Sequence, residues 1–439
     1  MRMGLIAISG VRVCNAKLLE IGLTLPGFVH RSQVIASLPS LGLLTLAGMT
    51  PGDIAVDYRE VPDVDAVKEL PGEYDVVAIS SYSAQIKDAY RLADRYREAG
   101  VLVILGGLHV TAMPGEAKQH ADCIVVGEGE PSWPLVVTDL RRGRLKPLYD
   151  SRGHEFDLAD APMPRFDLLD RDGYNRLTVQ TQRGCPHRCE FCAASITLCA
   201  GYKVKPVEKV IAEVRRIKEL WPKPFIEFAD DNTFVNKEHT KKLMRALSGE
   251  HVRWFTETDI SVANDDELLG LMRESGCAQV LIGFESPSMA GLDGLETRSN
   301  WKAKQLDTYK SAVERIQNHG ISVNGCFVLG LDGTGPESFD RVLEFVRGSG
   351  LHEVQVTIQT PFPGTPLYGR LKESGRLLHE DSWELCTLFD VNFEPQNMDV
   401  AGLESGFREL VATLYSDEFV AERKRRFRRQ LRDVKRRGH

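Results

Sequence analysis

Along this chain, short apolar runs alternate with stretches whose apolar residues recur at helical spacing. Leu5–Ile8, Ile54–Tyr58, Asp75–Ser80, Val101–Leu105 and Cys123–Val126 read as strands. The last two are apolar throughout, as expected of strands buried on both faces. Ser37–Met49 and Gln85–Ala99 carry helical apolar faces, and Gly100 is suited to close the second. This alternation predicts an α/β fold with a doubly wound parallel sheet over residues 1–145. Residues 146–175 are acidic, hold Pro162 and Pro164, show little periodicity and read as a linker.

From Arg176 the alternation restarts. Leu177–Thr181, Phe225–Ala229, Val252–Thr256, Gln279–Gly283, Ile321–Leu329 and Val354–Ile358 read as strands, with helices between them. Eight strand-helix steps would close a barrel, so six predict an open, partial (βα)6 barrel over 176–370. Residues 371–439 are helical and polar, with Trp383 and Phe389 as anchors. They read as a small C-terminal region that covers the barrel mouth and carries substrate specificity.

Composition adds constraints. Hydrophobic content of 42% and charged content of 27% suit a globular protein. A net charge of −7 makes no general case for nucleic acid. The stretch Ala421–His439 is strongly basic and reads as a solvated terminal helix. Nine cysteines, an odd number, point to a reducing compartment rather than a disulfide scaffold. No apolar stretch reaches the length of a membrane span, and a cytoplasmic location is expected.

The chemistry concentrates in Arg183-Gly184-Cys185-Pro186-His187-Arg188-Cys189-Glu190-Phe191-Cys192, directly after a strand. Thiolates are soft ligands for iron-sulfur clusters or zinc. Three close cysteines without a fourth fit a cluster with one open iron better than a closed four-ligand site. Zinc and plain buried thiols remain open at this point. Cys14, Cys123, Cys199, Cys277 and Cys386 read as packed thiols too scattered for a second cluster. Cys326 is a candidate hydrogen-atom donor if it points into the barrel.

The CxxxCxxC spacing, with Phe191 before the third cysteine, resembles the radical S-adenosylmethionine (SAM) superfamily. The phrases Phe-Ala-Asp-Asp-Asn, Gly-Phe-Glu-Ser and Thr-Pro-Phe-Pro-Gly-Thr-Pro-Leu-Tyr are similar to its subgroup with an N-terminal cobalamin-binding-like domain. The resemblance implies a 4Fe-4S cluster on Cys185, Cys189 and Cys192, with SAM on the open iron. It implies that Asp230 and Asp231 contact the SAM amino group and Glu285 the ribose. Phe191, Glu257 and Ser286 are further candidates at the strand ends. In the first domain, Ser80, Ser81, Tyr82, Gly106, Gly107, His109, Gly127, Glu128 and Gly129 lie on loops where a parallel sheet binds ligands. They are the cobalamin candidates. The usual DxHxxG motif is absent, so cobalt is expected to have no protein ligand from below.

The function implied is radical functionalisation of an unactivated carbon, foremost cobalamin-dependent methyl transfer in biosynthesis. Epimerisation, rearrangement, ring formation or sulfur insertion is the alternative. A small-molecule substrate and an electron donor such as flavodoxin or ferredoxin are the expected partners, with no membrane or nucleic acid.

Overall fold

The computed structural model describes residues 1–10, 13–20, 38–194 and 201–437. The first sheet contains β1 (Arg2–Ile8), β2 (Ala55–Val61), β3 (Val76–Ser80), β4 (Leu102–Gly106), β5 (Cys123–Val126) and β6 (Leu148–Asp150). All pairings are parallel, in the order β2-β1-β3-β4-β5-β6. Period-two alternation sends Leu5, Val76, Ile104 and Cys123 toward helices Leu41–Met49 and Gly129–Arg141. It sends Ile6, Val77, Val103 and Ile124 toward helix Ile86–Glu98. The sheet is therefore covered on both faces, as its apolar strands require.

Two expectations need correction here. The stretch read as a linker with little periodicity contributes β6 to the sheet, and Leu158 and Phe166 beyond it are buried. The helix expected from Ser37 begins at Leu41, where the Ser40 side chain accepts from Leu43 N. Ser37 itself lies outside the described residues.

The second unit contains β7 (Leu177–Val179), then the short antiparallel pair β8 (Gln182–Arg183) and β9 (Lys203–Val204). There follow β10 (Phe225–Phe228), β11 (Arg253–Thr258), β12 (Cys277–Glu285), β13 (Ser322–Leu329) and β14 (Glu353–Ile358). The parallel order β14-β13-β12-β11-β10-β7 follows the sequence, and β7 does not pair with β14. This is the open six-strand barrel.

The C-terminal region divides into two parts. Helix Asp417–Arg437 does not cover the mouth but seats at the opposite end of the barrel. Arg423 donates to His352 O just before β14, and Gln430 to Glu314 O in the helix Tyr309–Asn318 that precedes β13. The basic tail thus spends Arg423 and Arg426 on backbone carbonyls. The segment that reaches the mouth comes earlier. Trp383 Nε1 donates to Glu116 at 3.0 Å, and Asp390 accepts from Cys14 N and Asn15 N. These bonds staple the barrel to the first sheet. No helix among the described residues is long and apolar enough to cross a membrane.

Candidate active site

The cysteine loop is held from below by the end of β10. Asp230 accepts from Thr181 N, Thr181 Oγ1, Gln182 N and Thr233 Oγ1 at 2.5–3.1 Å. Burial still pushes its carboxyl up to about 6. Its oxygens are engaged and it borders neither cavity described below, so Asp230 positions the loop and is not placed to contact SAM. Asp231 accepts from Gly184 N at 2.9 Å, where the loop turns through a positive φ of 88°. On the far side, Glu190 takes a two-bond contact from Arg370, which also binds Asp332.

Cys185, Cys189, Cys192 and Phe191 border a cavity of about 370 Å³ at the carboxyl ends of the barrel strands. Burial pushes the Cys185 and Cys189 thiols up to about 11 and 12. Metal binding must therefore displace their protons. Among the described residues no three His, Cys, Asp or Glu side chains converge on one ion position. A 4Fe-4S cluster takes its thiolates on separate irons, and three thiols bordering one open space are a donor set that suits it.

Glu257, Asp259, Glu285 and Cys326 line the same cavity. Glu257 opens onto the cavity with protein packed around its carboxyl, and this desolvation, with Glu227 and Asp231 nearby, pushes the carboxyl up to about 7. Glu285 has φ 62°, at a register shift between β12 and β13. A side chain held in this left-handed conformation signals a strained, aimed position. Its partner Lys302 also donates to Gly283 O at 2.9 Å. Burial opposes the charge on Lys302, but Glu285 holds its pKa above the usual range. Ser286 bonds Ser288 instead and does not border the cavity.

Sequence reasoning missed Lys302, His187 and the polar residues of β14. His187 Nε2 lies 3.3 Å from Asp259, and its ring stacks on Trp301 at 4.6 Å. Bonds from His187, Ser261 and Asn232 hold Asp259 well below the carboxylate range despite burial. The position of His187 inside the cysteine motif was the signal available for it.

A second cavity, of about 330 Å³, opens at the carboxyl edge of the first sheet. Ser80, Gly106, Gly107, Gly127, Glu128 and Gly129 line it, as expected of a ligand crevice there. A Cβ on Gly107 would lie 2.9 Å from Ser80 Oγ, and one on Gly127 2.6 Å from Ser151 Oγ. This cradle of small residues with apolar walls fits a flat, bulky group such as a corrin. Ser81 and Tyr82 do not border it, and the Tyr82 ring is exposed. His109 is fully buried, bonded to Ser83 Oγ and packed edge-on against Trp383. Burial lowers its pKa to about 4. It belongs to the core and not to the crevice. Glu128 lines the crevice, but its carboxylate binds Arg183 and Lys203 of the barrel unit. Glu130 also binds Arg183. Cys123, Cys277 and Cys386 are buried, Cys14 is exposed, and Cys199 lies outside the described residues.

The fold and the two cavities define a cofactor-dependent α/β protein whose ligand domain precedes a thiol-bearing partial barrel. The model of the radical SAM superfamily matches residues 179–384, and that of the B12 binding domain residues 33–136. A domain of unknown function, DUF4070, matches residues 365–439. An uncharacterized methyltransferase of Synechocystis is 30% identical over 82% of this chain and 67% of its own. The bacteriochlorophyllide d C-12(1)-methyltransferase of Chlorobaculum tepidum is 27% identical over 87% of this chain and 84% of its own. The structure of TsrM from Kitasatospora setae, with cobalamin and a [4Fe-4S] cluster bound, aligns over 99% of both chains. Its TM-score is 0.67 at 14% identity, a likeness of fold. The chain belongs to the radical SAM superfamily, in the arrangement with an N-terminal B12-binding domain. It is an enzyme of that superfamily, whose cofactors are a 4Fe-4S cluster, SAM and cobalamin.

Proposed function

We propose that this enzyme transfers a methyl group to an unactivated carbon of a small molecule. The observation that carries this reading is that the glycine-lined crevice and the thiol-lined cavity share Ala194 and Asp231 as lining residues. A carrier in the crevice and a reacting carbon in the cavity would then be neighbours. The relatives named as methyltransferases support the same reaction.

The bound cofactors supply one-electron cleavage of SAM and a transferable methyl group. The chain supplies the rest. Cys185, Cys189 and Cys192 would hold the cluster. Asp231 and Glu257 would receive the SAM ammonium by charge-assisted hydrogen bonds, and Glu285, steadied by Lys302, its ribose. Leu281, Val328, Phe362 and Leu388 give the cavity apolar walls that exclude water. Cys326 faces the cavity and burial keeps its proton on, so it presents an S–H group there. Among the described residues no histidine lines the crevice, so cobalt would have no imidazole ligand from them. Electrons would come from a flavodoxin or ferredoxin.

The test uses cobalamin-loaded protein with methyl-labelled SAM and a chemical reductant under anaerobic conditions. Label on the corrinoid together with 5′-deoxyadenosine is the expected result. Cleavage of SAM without labelled corrinoid would move the reading to another radical reaction.

A further inference from the structure

Inside the barrel, one buried side chain has hydrogen-bonding atoms that the protein leaves unused. Gln359 directly follows β14, and its backbone N–H donates to Leu329 O at 2.9 Å. Its side chain is only 2% exposed and borders the thiol-lined cavity. Neither Nε2 nor Oε1 has a partner in the structure. Buried amides are almost always satisfied, and one that is not asks for a ligand or an ordered water. Leucine would fill such a place at less cost to the fold.

The surroundings say which ligand. Strand alternation puts Gln355 and Thr357 on the same cavity-facing side as Gln359. Cys326 and Val328 of β13 stand in register with Gln355 and Thr357. This wall carries no charge. The charged groups lie elsewhere in the cavity, with Glu257 on β11 and Asp259 just after it, Glu285 at the end of β12, and Lys302, Asp231 and His187 beside them. A carboxylate or ammonium against the β13–β14 wall would be desolvated without a counter-charge. A neutral group that both donates and accepts would satisfy both atoms of Gln359.

We propose that Gln359 is a specificity-determining residue that holds a neutral amide-type group of the substrate in a two-bond pair. Gln359 Nε2–H donates to the substrate carbonyl, and Gln359 Oε1 accepts from the substrate N–H. This rests on the proposed function only in taking the thiol-lined cavity as the substrate's place. The adenine of SAM also offers a donor beside an acceptor, so the test must separate the two.

The experiment loads the protein with cluster, SAM and cobalamin and measures binding of benzamide, benzoate and ethylbenzene by ligand-detected NMR. Benzamide is expected to bind at least about tenfold tighter than the other two, since a site built to hydrogen-bond rejects analogues that lack the bond. Gln359→Leu should remove that preference, leave SAM affinity within about twofold, and raise the unfolding temperature of the ligand-free protein because an unpaired buried amide is gone. Gln359→Glu keeps the shape, loses the donor and should lose the preference too. The proposal is overturned if the wild type shows no preference. It also fails if Gln359→Leu weakens SAM binding tenfold, which makes the residue an adenine partner, or if the variant melts lower, which makes it structural. A wild type that selects benzamide but labels no corrinoid would end the methyl-transfer reading and leave this one standing.

Discussion

The crevice on the first sheet and the cavity inside the barrel share Ala194 and Asp231 and little else in character. The crevice is built from small residues and backbone, between apolar walls from Leu41, Leu46, Ile104 and Val125. Two of its three carboxylates, Glu128 and Glu130, are turned to the barrel unit and bound there by Arg183 and Lys203. The cavity is built from thiols, ion pairs and strand-end carboxylates. One recess offers shape and the other charge and ligand chemistry. The difference predicts that the two can be disabled separately.

The largest effect should come from the cavity. Cys189→Ala removes one cluster thiol, so cluster absorption and SAM cleavage should vanish while the crevice still takes up corrinoid. Corrinoid lost along with the cluster would mean that the two sites are not independent. The converse break is Gly107→Leu. Gly107 has φ 109°, which a leucine rarely adopts, and its Cβ would press on Ser80 Oγ. Corrinoid uptake should fail while cluster absorption stays, as read by visible spectra of the reconstituted protein.

A smaller effect sharpens the boundary between them. Arg183 precedes the cysteine loop, so its pairing with Glu128 and Glu130 ties the crevice wall to the cluster loop. Arg183→Leu leaves two buried carboxylates without that partner. The expected loss is about 3–5 kcal/mol, the usual cost of breaking a buried ion pair, measured by denaturant unfolding. A loss below about 1 kcal/mol would class the pair with surface bridges.

The two recesses also differed in how far the sequence disclosed them. Apolar runs made the strands legible, and the strand-end rule then led to Asp231, Glu257 and Glu285, while Cys326 within its strand was a candidate only if it pointed inward. That rule cannot tell neighbours apart. Asp230 and Asp231 are adjacent, yet one turns under the loop and the other faces both cavities. His109 follows two glycines as a ligand residue would, but a short helix from Leu108 carries it into the core against Trp383. β6 is three residues long in an acidic, proline-bearing stretch, too short to show periodicity. The helix from Gly129 was hidden by Gly127-Glu128-Gly129 and by Pro134 within it. Lys302 lies in no motif, and its pairing with Glu285 is tertiary information.

The subtlest contrast concerns protons, and it belongs to the cavity alone. Glu257 has its pKa raised from 4.5 to about 7 by burial and by the neighbouring Glu227 and Asp231. Its folded pKa lies above the unfolded one, so its contribution to stability is full below about pH 4.5. That contribution is lost as the pH rises through about 7. The ligand-free protein should therefore lose stability from pH 5 to 8. A cation in the cavity reverses the preference, since it favours the ionised carboxylate. If Glu257 receives the SAM ammonium, affinity for SAM should rise about threefold to tenfold between pH 6 and 8. Glu257→Gln should flatten both trends, in calorimetric SAM titrations and in thermal unfolding. Corrinoid binding should show neither trend, because Glu257 does not line the crevice. An unchanged SAM profile in Glu257→Gln would move the ammonium partner to Asp231.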